Sequence, residues 1–119
     1  MLSRVMKEKY EKEKLLYISN TDELTRCFNR HAYEERINNL DLREEWIYIS
    51  MDLNNLKHTN DSLGHAAGDE LICAAADCMR ENFGKYGNVY RIGGDEFVVI
   101  ITGNTKAVSY THLTLPTIA

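Results

Sequence analysis

The chain has 119 residues, room for one small domain and too few for two. Hydrophobic residues make up 44% and charged residues 27%, the balance of a globular protein in water. Its 18 acidic residues outnumber its 14 basic ones, for a net charge of -4, which argues against a DNA-coating role and predicts no nucleic-acid partner. Three cysteines, Cys27, Cys73 and Cys78, form no CxxC pair and read as small buried apolar residues in a reducing compartment.

Residues 4–14 are crowded with charge and suit a helix. They read as a solvated helix in preference to the end of a linker or coiled coil, because one heptad cannot establish a coiled coil. The charge also argues against a signal peptide, and the apolar run at residues 15–18 is too short to span a bilayer. The expectation is a cytoplasmic chain with no membrane contact of its own, any membrane attachment lying in an upstream region.

Asn29 is a predicted cap for a helix over residues 30–40, with Tyr33, Ile37 and Leu40 on its apolar face. A polar break at 41–45 precedes residues 46–53, where Ile47, Ile49, Met51 and Leu53 alternate with Tyr48, Ser50 and Asp52. That alternation predicts a strand, started by a packed Trp46 and ended by Asp52. A helical turn is predicted near residues 56–60. A helix follows over 69–82, with Ile72, Ala75, Ala76, Met79 and Phe83 at steps of three and four. Gly84 and Gly87 end it. Residues 88–92 and 97–101 then predict a hairpin with Gly93-Gly94-Asp95-Glu96 at its tip.

If that hairpin lies beside the first strand, Asp52, Asp95 and Glu96 meet at one edge. Clustered carboxylates repel one another unless a cation neutralises them, and hard oxygen ligands select Mg²⁺, which in turn holds phosphates. Glycines at the tip let a bulky ligand approach the backbone. The pattern points to metal-assisted phosphoryl or nucleotidyl transfer; the competing reading is a solvated acidic turn.

Arg91-Ile92-Gly93-Gly94-Asp95-Glu96-Phe97 resembles the signature of the GGDEF family of diguanylate cyclases. Four more segments agree in order: Asp22-Glu23-Leu24-Thr25 with Asn29-Arg30, Asp52-Leu53-Asn54-Asn55-Leu56-Lys57, Asn60-Asp61, and Gly64-His65 with Gly68-Asp69. The resemblance implies an α/β fold with a palm-like, ferredoxin-like sheet and flanking helices, as in nucleotidyl cyclases, incomplete at the C-terminus. It implies condensation of two GTP molecules into cyclic di-GMP, with Mg²⁺, or Mn²⁺ in its place, as cofactor and with two domains facing each other in a homodimer. On this resemblance Asp52 and Asp95 are metal carboxylates and Leu53 ligates through its carbonyl. Glu96 helps deprotonate the attacking hydroxyl or binds metal. Asn60 and Asp69 read guanine, Lys57 contacts phosphate, and Gly93 and Gly94 leave room for the triphosphate.

Other residues have plainer readings. His65 is read as a helix-entry hydrogen bonder, His31 and His58 as solvated, and Arg91 as the partner of a nearby carboxylate. Two departures from the family pattern stand out. The product-inhibition motif RxxD is replaced by Gly84-Lys85-Tyr86-Gly87. The family's further helix, strand and basic residues do not follow the hairpin; instead Val108–Thr117 resembles a translated sequencing adapter. The expected organisation is a charged helix or linker at 1–18, a partial GGDEF domain at 19–107 and a non-native tail at 108–119, with the fragment inactive alone. The alternative is a non-catalytic GTP-binding or dimerisation module.

Overall fold

A computed structural model describes residues 3–103 and 105–106; the expected tail at 108–119 lies outside the described residues. The chain runs through α1 (Arg4–Asn20), α2 (Arg30–Asn38), β1 (Trp46–Asp52), α3 (Leu56–Leu63), α4 (His65–Phe83), β2 (Gly87–Arg91) and β3 (Glu96–Thr102). The three strands form one antiparallel sheet in the order β1-β3-β2. This is an α/β fold with helices flanking a small sheet, as expected.

β3 is central, and its sequence says why. Residues 97–101 are apolar without alternation, the pattern of a strand covered on both faces, and all five are buried. Phe97, Val99 and Ile101 face α4, where Ile72, Ala75, Ala76 and Met79 close the main core with Cys27 and Val89. Val98 and Ile100 face the other way and pack with Tyr90 against Ala32, Tyr33, Leu40 and Ile92. The alternating residues Ile47, Ile49 and Met51 of β1 join the α4 side, half-buried.

Four expectations change. α2 stops at Asn38, so Leu40 packs from beyond the helix while Ile37, assigned to the apolar face, is 38% exposed. Trp46, expected to pack, is 44% exposed at the start of β1, which has no second neighbour among the described residues. α4 begins at His65, four residues before the expected start at Asp69, and Gly68 is a buried position inside it. α1 continues to Asn20 and buries none of its residues, so Leu15 to Ile18 are exposed helix surface. No helix among the described residues is long and apolar enough to cross a membrane.

Candidate active site

The β1–β3 ladder builds the acidic edge. Register pairs Asp52 with Glu96, and Leu53 N–H donates to the Asp95 carbonyl at 2.8 Å, one step past the strand end. Directly opposed residues on an antiparallel pair share a face with Cβ atoms about 5 Å apart. Asp52 and Glu96 therefore stand side by side because the apolar register of Met51 on Phe97 and Ile49 on Val99 puts them there. Asp52 and Asp95 are exposed, and Glu96 is half-buried.

The turn is closed by Ile92 N–H donating to the Glu96 carbonyl at 3.0 Å. Neither Gly93 nor Gly94 has the positive φ that only glycine tolerates well. A Cβ at Gly94 would meet no atom within 4 Å, and one at Gly93 would make ordinary contact with Glu96. Folding does not demand these glycines; their effect is to keep the tip bare beside the carboxylates.

A second cluster sits on α3 and α4. Gly64, at φ +90, turns the chain between the two helices and donates its N–H to the Asn60 carbonyl at 2.9 Å. The turn lays the Asn60 side-chain amide onto Gly68, where a Cβ would collide with it. Asn60 is thus held one residue from Asp69, which is exposed, as is Lys57 in the first turn of α3. Leu53 and Leu56 anchor the connecting segment by packing against the main core.

Among the described residues no three His, Cys, Asp or Glu side chains gather into a metal site of their own. The set expected here is smaller: the Asp52 and Asp95 carboxylates with the Leu53 carbonyl. Hard oxygen donors on a turn stripped of side chains suit a hard divalent cation, which takes a few protein oxygens and fills its other positions with water or phosphate.

Sequence reasoning paired Arg91 with a carboxylate without finding which one. It is Asp22, 69 residues away: Arg91 Nη1 donates to the two carboxylate oxygens at 3.2 and 3.1 Å. Arg91 Nη2 donates to the Gly94 carbonyl at 3.0 Å. Asp22 Oδ2 also accepts from the Thr25 amide at 2.9 Å and the Thr25 hydroxyl at 2.7 Å. Burial alone would raise the Asp22 pKa, but the hydrogen bonds from Thr25 and the Arg91 guanidinium outweigh it and hold the carboxyl below its ordinary range. The Asp-x-Leu-Thr motif therefore does structural work beneath the signature turn. A cavity of about 330 Å³ opens there, lined by Asp22, Asn29, Arg30, Arg91, Ile92 and the two glycines.

Two other groups are shifted. Tyr48, on the same sheet face as Asp52, is pushed up to about 12 by burial, then by its hydroxyl contact with Tyr33 at 3.0 Å and the nearby Tyr33 and Glu96 charges. Burial raises the Cys27 thiol, which agrees with its reading as a buried core residue, whereas Cys73 is only half-buried and Cys78 is exposed on α4, against that reading.

An α/β domain whose acidic turn meets the C-terminal end of an edge strand is the class these features define. A family profile described as "Diguanylate cyclase, GGDEF domain" matches residues 19–114, and the chain belongs to the GGDEF family. Diguanylate cyclase DgcS of Shewanella oneidensis is 38% identical over 91 residues, covering 72% of this chain and 31% of that protein. The coiled coil and GGDEF domain of DgcB from Caulobacter crescentus, solved in complex with c-di-GMP, superposes with a TM-score of 0.77. It is 23% identical over 90% of this chain and 59% of that one. The GGDEF domain of TpbB (YfiN) from Pseudomonas aeruginosa gives a TM-score of 0.61 at 33% identity, over 73% of this chain and 55% of that one. The chain thus spans under a third of DgcS and somewhat over half of the two solved chains.

Proposed function

We propose that this domain condenses two GTP molecules into cyclic di-GMP, working in the cytoplasm as a pair of facing domains, each holding one GTP. The observation that carries the reading is Asp52 paired directly with Glu96 while Leu53 is bonded to Asp95. In each step a 3′-hydroxyl oxygen bonds to the α-phosphorus of the other nucleotide, and the bond from that phosphorus to pyrophosphate breaks. Glu96 is assigned the hydroxyl proton. A bound Mg²⁺ supplies charge stabilisation on the phosphates, held by Asp52, Asp95 and the Leu53 carbonyl. Asn60 and Asp69 read the guanine edge, Lys57 meets phosphate, and the bare Gly93-Gly94 tip admits the triphosphate.

The chain by itself is proposed to be inactive. β1 is an edge strand among the described residues, and its outer face carries exposed Trp46 and Tyr48, a face that a neighbouring element would have to cover. A second reading, a dimerisation module, draws on α1, whose 17 residues are all unburied. The test compares residues 1–119 with a chain extended to the length of the solved GGDEF domains. GTP is supplied with and without Mg²⁺, and bound nucleotide, pyrophosphate and cyclic di-GMP are measured. Mg-dependent GTP binding with product only from the longer chain is expected. No GTP binding by either chain sinks the enzyme reading and leaves the dimerisation module.

A further inference from the structure

We infer that Arg91, braced by Asp22, is a positioning residue that sets the orientation of Asp95 in the signature turn. The inference rests on the nucleotidyl-transfer reading of the site. Two consecutive carbonyls of the turn are gripped by different parts of the fold. Gly94 is held by Arg91 Nη2 at 3.0 Å, and Asp95 is held by Leu53 N–H at 2.8 Å. With the peptide planes on both sides of its Cα each tethered, the Asp95 backbone is restrained and its Cα–Cβ bond is aimed from a fixed point of the turn. Gly93 and Gly94 carry no side chains that could add to the Ile92–Glu96 bond closing the turn, so the further restraint on Asp95 comes from Arg91 and Leu53.

Arg91 suits the task because its planar fork spans two acceptors at once. One arm takes the Asp22 carboxylate and the other takes the Gly94 carbonyl. The pair is largely out of water, with side-chain exposures of 16% for Arg91 and 21% for Asp22. Removing either partner strands a charge in a poorly solvated place. Asp22 is itself fixed by Thr25. The adjoining Phe28 fastens the whole segment to β2, donating to Val89 and accepting from Arg91 N–H at 3.0 and 2.8 Å. Arg91 Nε is buried with no protein partner, a cost the arrangement accepts while both arms stay engaged. The segment that follows α1 is therefore connected, through one side chain, to the peptide preceding Asp95.

The experiment uses Asp22→Asn and Arg91→Lys in the protein carrying the extended domain. Four quantities are read: GTP bound per chain in Mg²⁺, KM, kcat, and deuterium exchange of the amides of residues 92–97. Positioning predicts unchanged binding stoichiometry, KM within about threefold and kcat lower by on the order of tenfold to a hundredfold. It also predicts faster exchange at residues 94–96 in both variants. A merely structural brace lowers kcat only in step with the fraction of chains that bind GTP, and that result overturns the inference. Unchanged kcat overturns it too. If the unsubstituted protein makes no cyclic di-GMP, the enzyme reading fails separately. The exchange data then decide the brace, and unchanged exchange at residues 94–96 refutes it.

Discussion

Asp52 faces Glu96 across the last rung of the β1–β3 ladder, and this rung is fixed by the apolar pairs Met51–Phe97 and Ile49–Val99 behind it. Asp52→Ala should therefore leave the fold intact while abolishing turnover and weakening Mg-dependent GTP binding. Asn54→Ala, neutral and past the strand end, should be milder. Calorimetry with GTP at several Mg²⁺ concentrations, beside a thermal melt, checks both. Full activity in the Asp52 variant would refute the assignment.

Asp69 is exposed near the start of α4 and can accept from the N–H donors of guanine. Asp69→Asn should lower the preference for GTP over ATP, since losing a charge-assisted hydrogen bond costs on the order of 1.5–3 kcal/mol. Competition between the two nucleotides measures the ratio, and an unchanged ratio counts against Asp69 as a base reader.

Gly68 offers a subtler test, because a methyl group there collides with the Asn60 amide. Alanine is the better helix former by about 0.8–1.0 kcal/mol, and the amide is the movable end of a short side chain. Gly68→Ala should thus change stability little while displacing Asn60 and eroding base selectivity. A urea midpoint combined with GTP and ATP affinities separates the two effects. Retained selectivity would show that Asn60 need not rest on Gly68.

Asp22 contributes acid sensitivity to the fold beneath the turn. Its folded pKa lies below the ordinary 3.8, so it stabilises the fold above that value and loses this contribution as pH falls through the folded pKa. Urea midpoints taken from about pH 6 down to about pH 3 should fall less steeply in Asp22→Asn than in the unsubstituted chain. Equal slopes would mean the Asp22–Arg91 pair contributes nothing to acid stability.

Product regulation should be simple. Residues 84–87 lack RxxD, and Gly87 cannot take a side chain without its Cβ colliding with the Ile100 carbonyl. Added cyclic di-GMP should reduce initial rates only by competition at the active site. Strong non-competitive inhibition in the extended domain would overturn this.

Much of this was legible in the sequence because the signals are local. The steps Ile72, Ala75, Ala76 and Met79 announce the buried face of α4, and the unbroken apolar run of β3 announces a strand covered on both sides. The β1–β3 adjacency was only conditional, since nothing local says which neighbour a strand chooses. The Asp22–Arg91 pair joins residues 69 positions apart, and no periodicity encodes it. Ile37 misled because its spacing is helical while the sheet lies under Ala32, Tyr33 and Leu40. The early start of α4 was hidden because Gly68 lies inside the helix, its lack of a side chain serving packing against Asn60.

Asn29 ties two helices in one knot. Its amide donates to the Asn20 carbonyl at 2.8 Å and its Nδ2 to the Ser19 carbonyl at 2.8 Å, both at the end of α1. Its Oδ1 accepts from Ala32 at the start of α2, at 3.0 Å. One side chain thus serves as the last anchor of one helix and the first cap of the next. A long helix with no core contacts would ordinarily fray on its own schedule, but α1 cannot peel away past Ser19 without pulling Asn29 and uncapping α2. The cooperative unit of unfolding therefore extends across the junction. A twist applied to the exposed helix is passed through Asn29 to α2 and the Tyr33 face of the sheet.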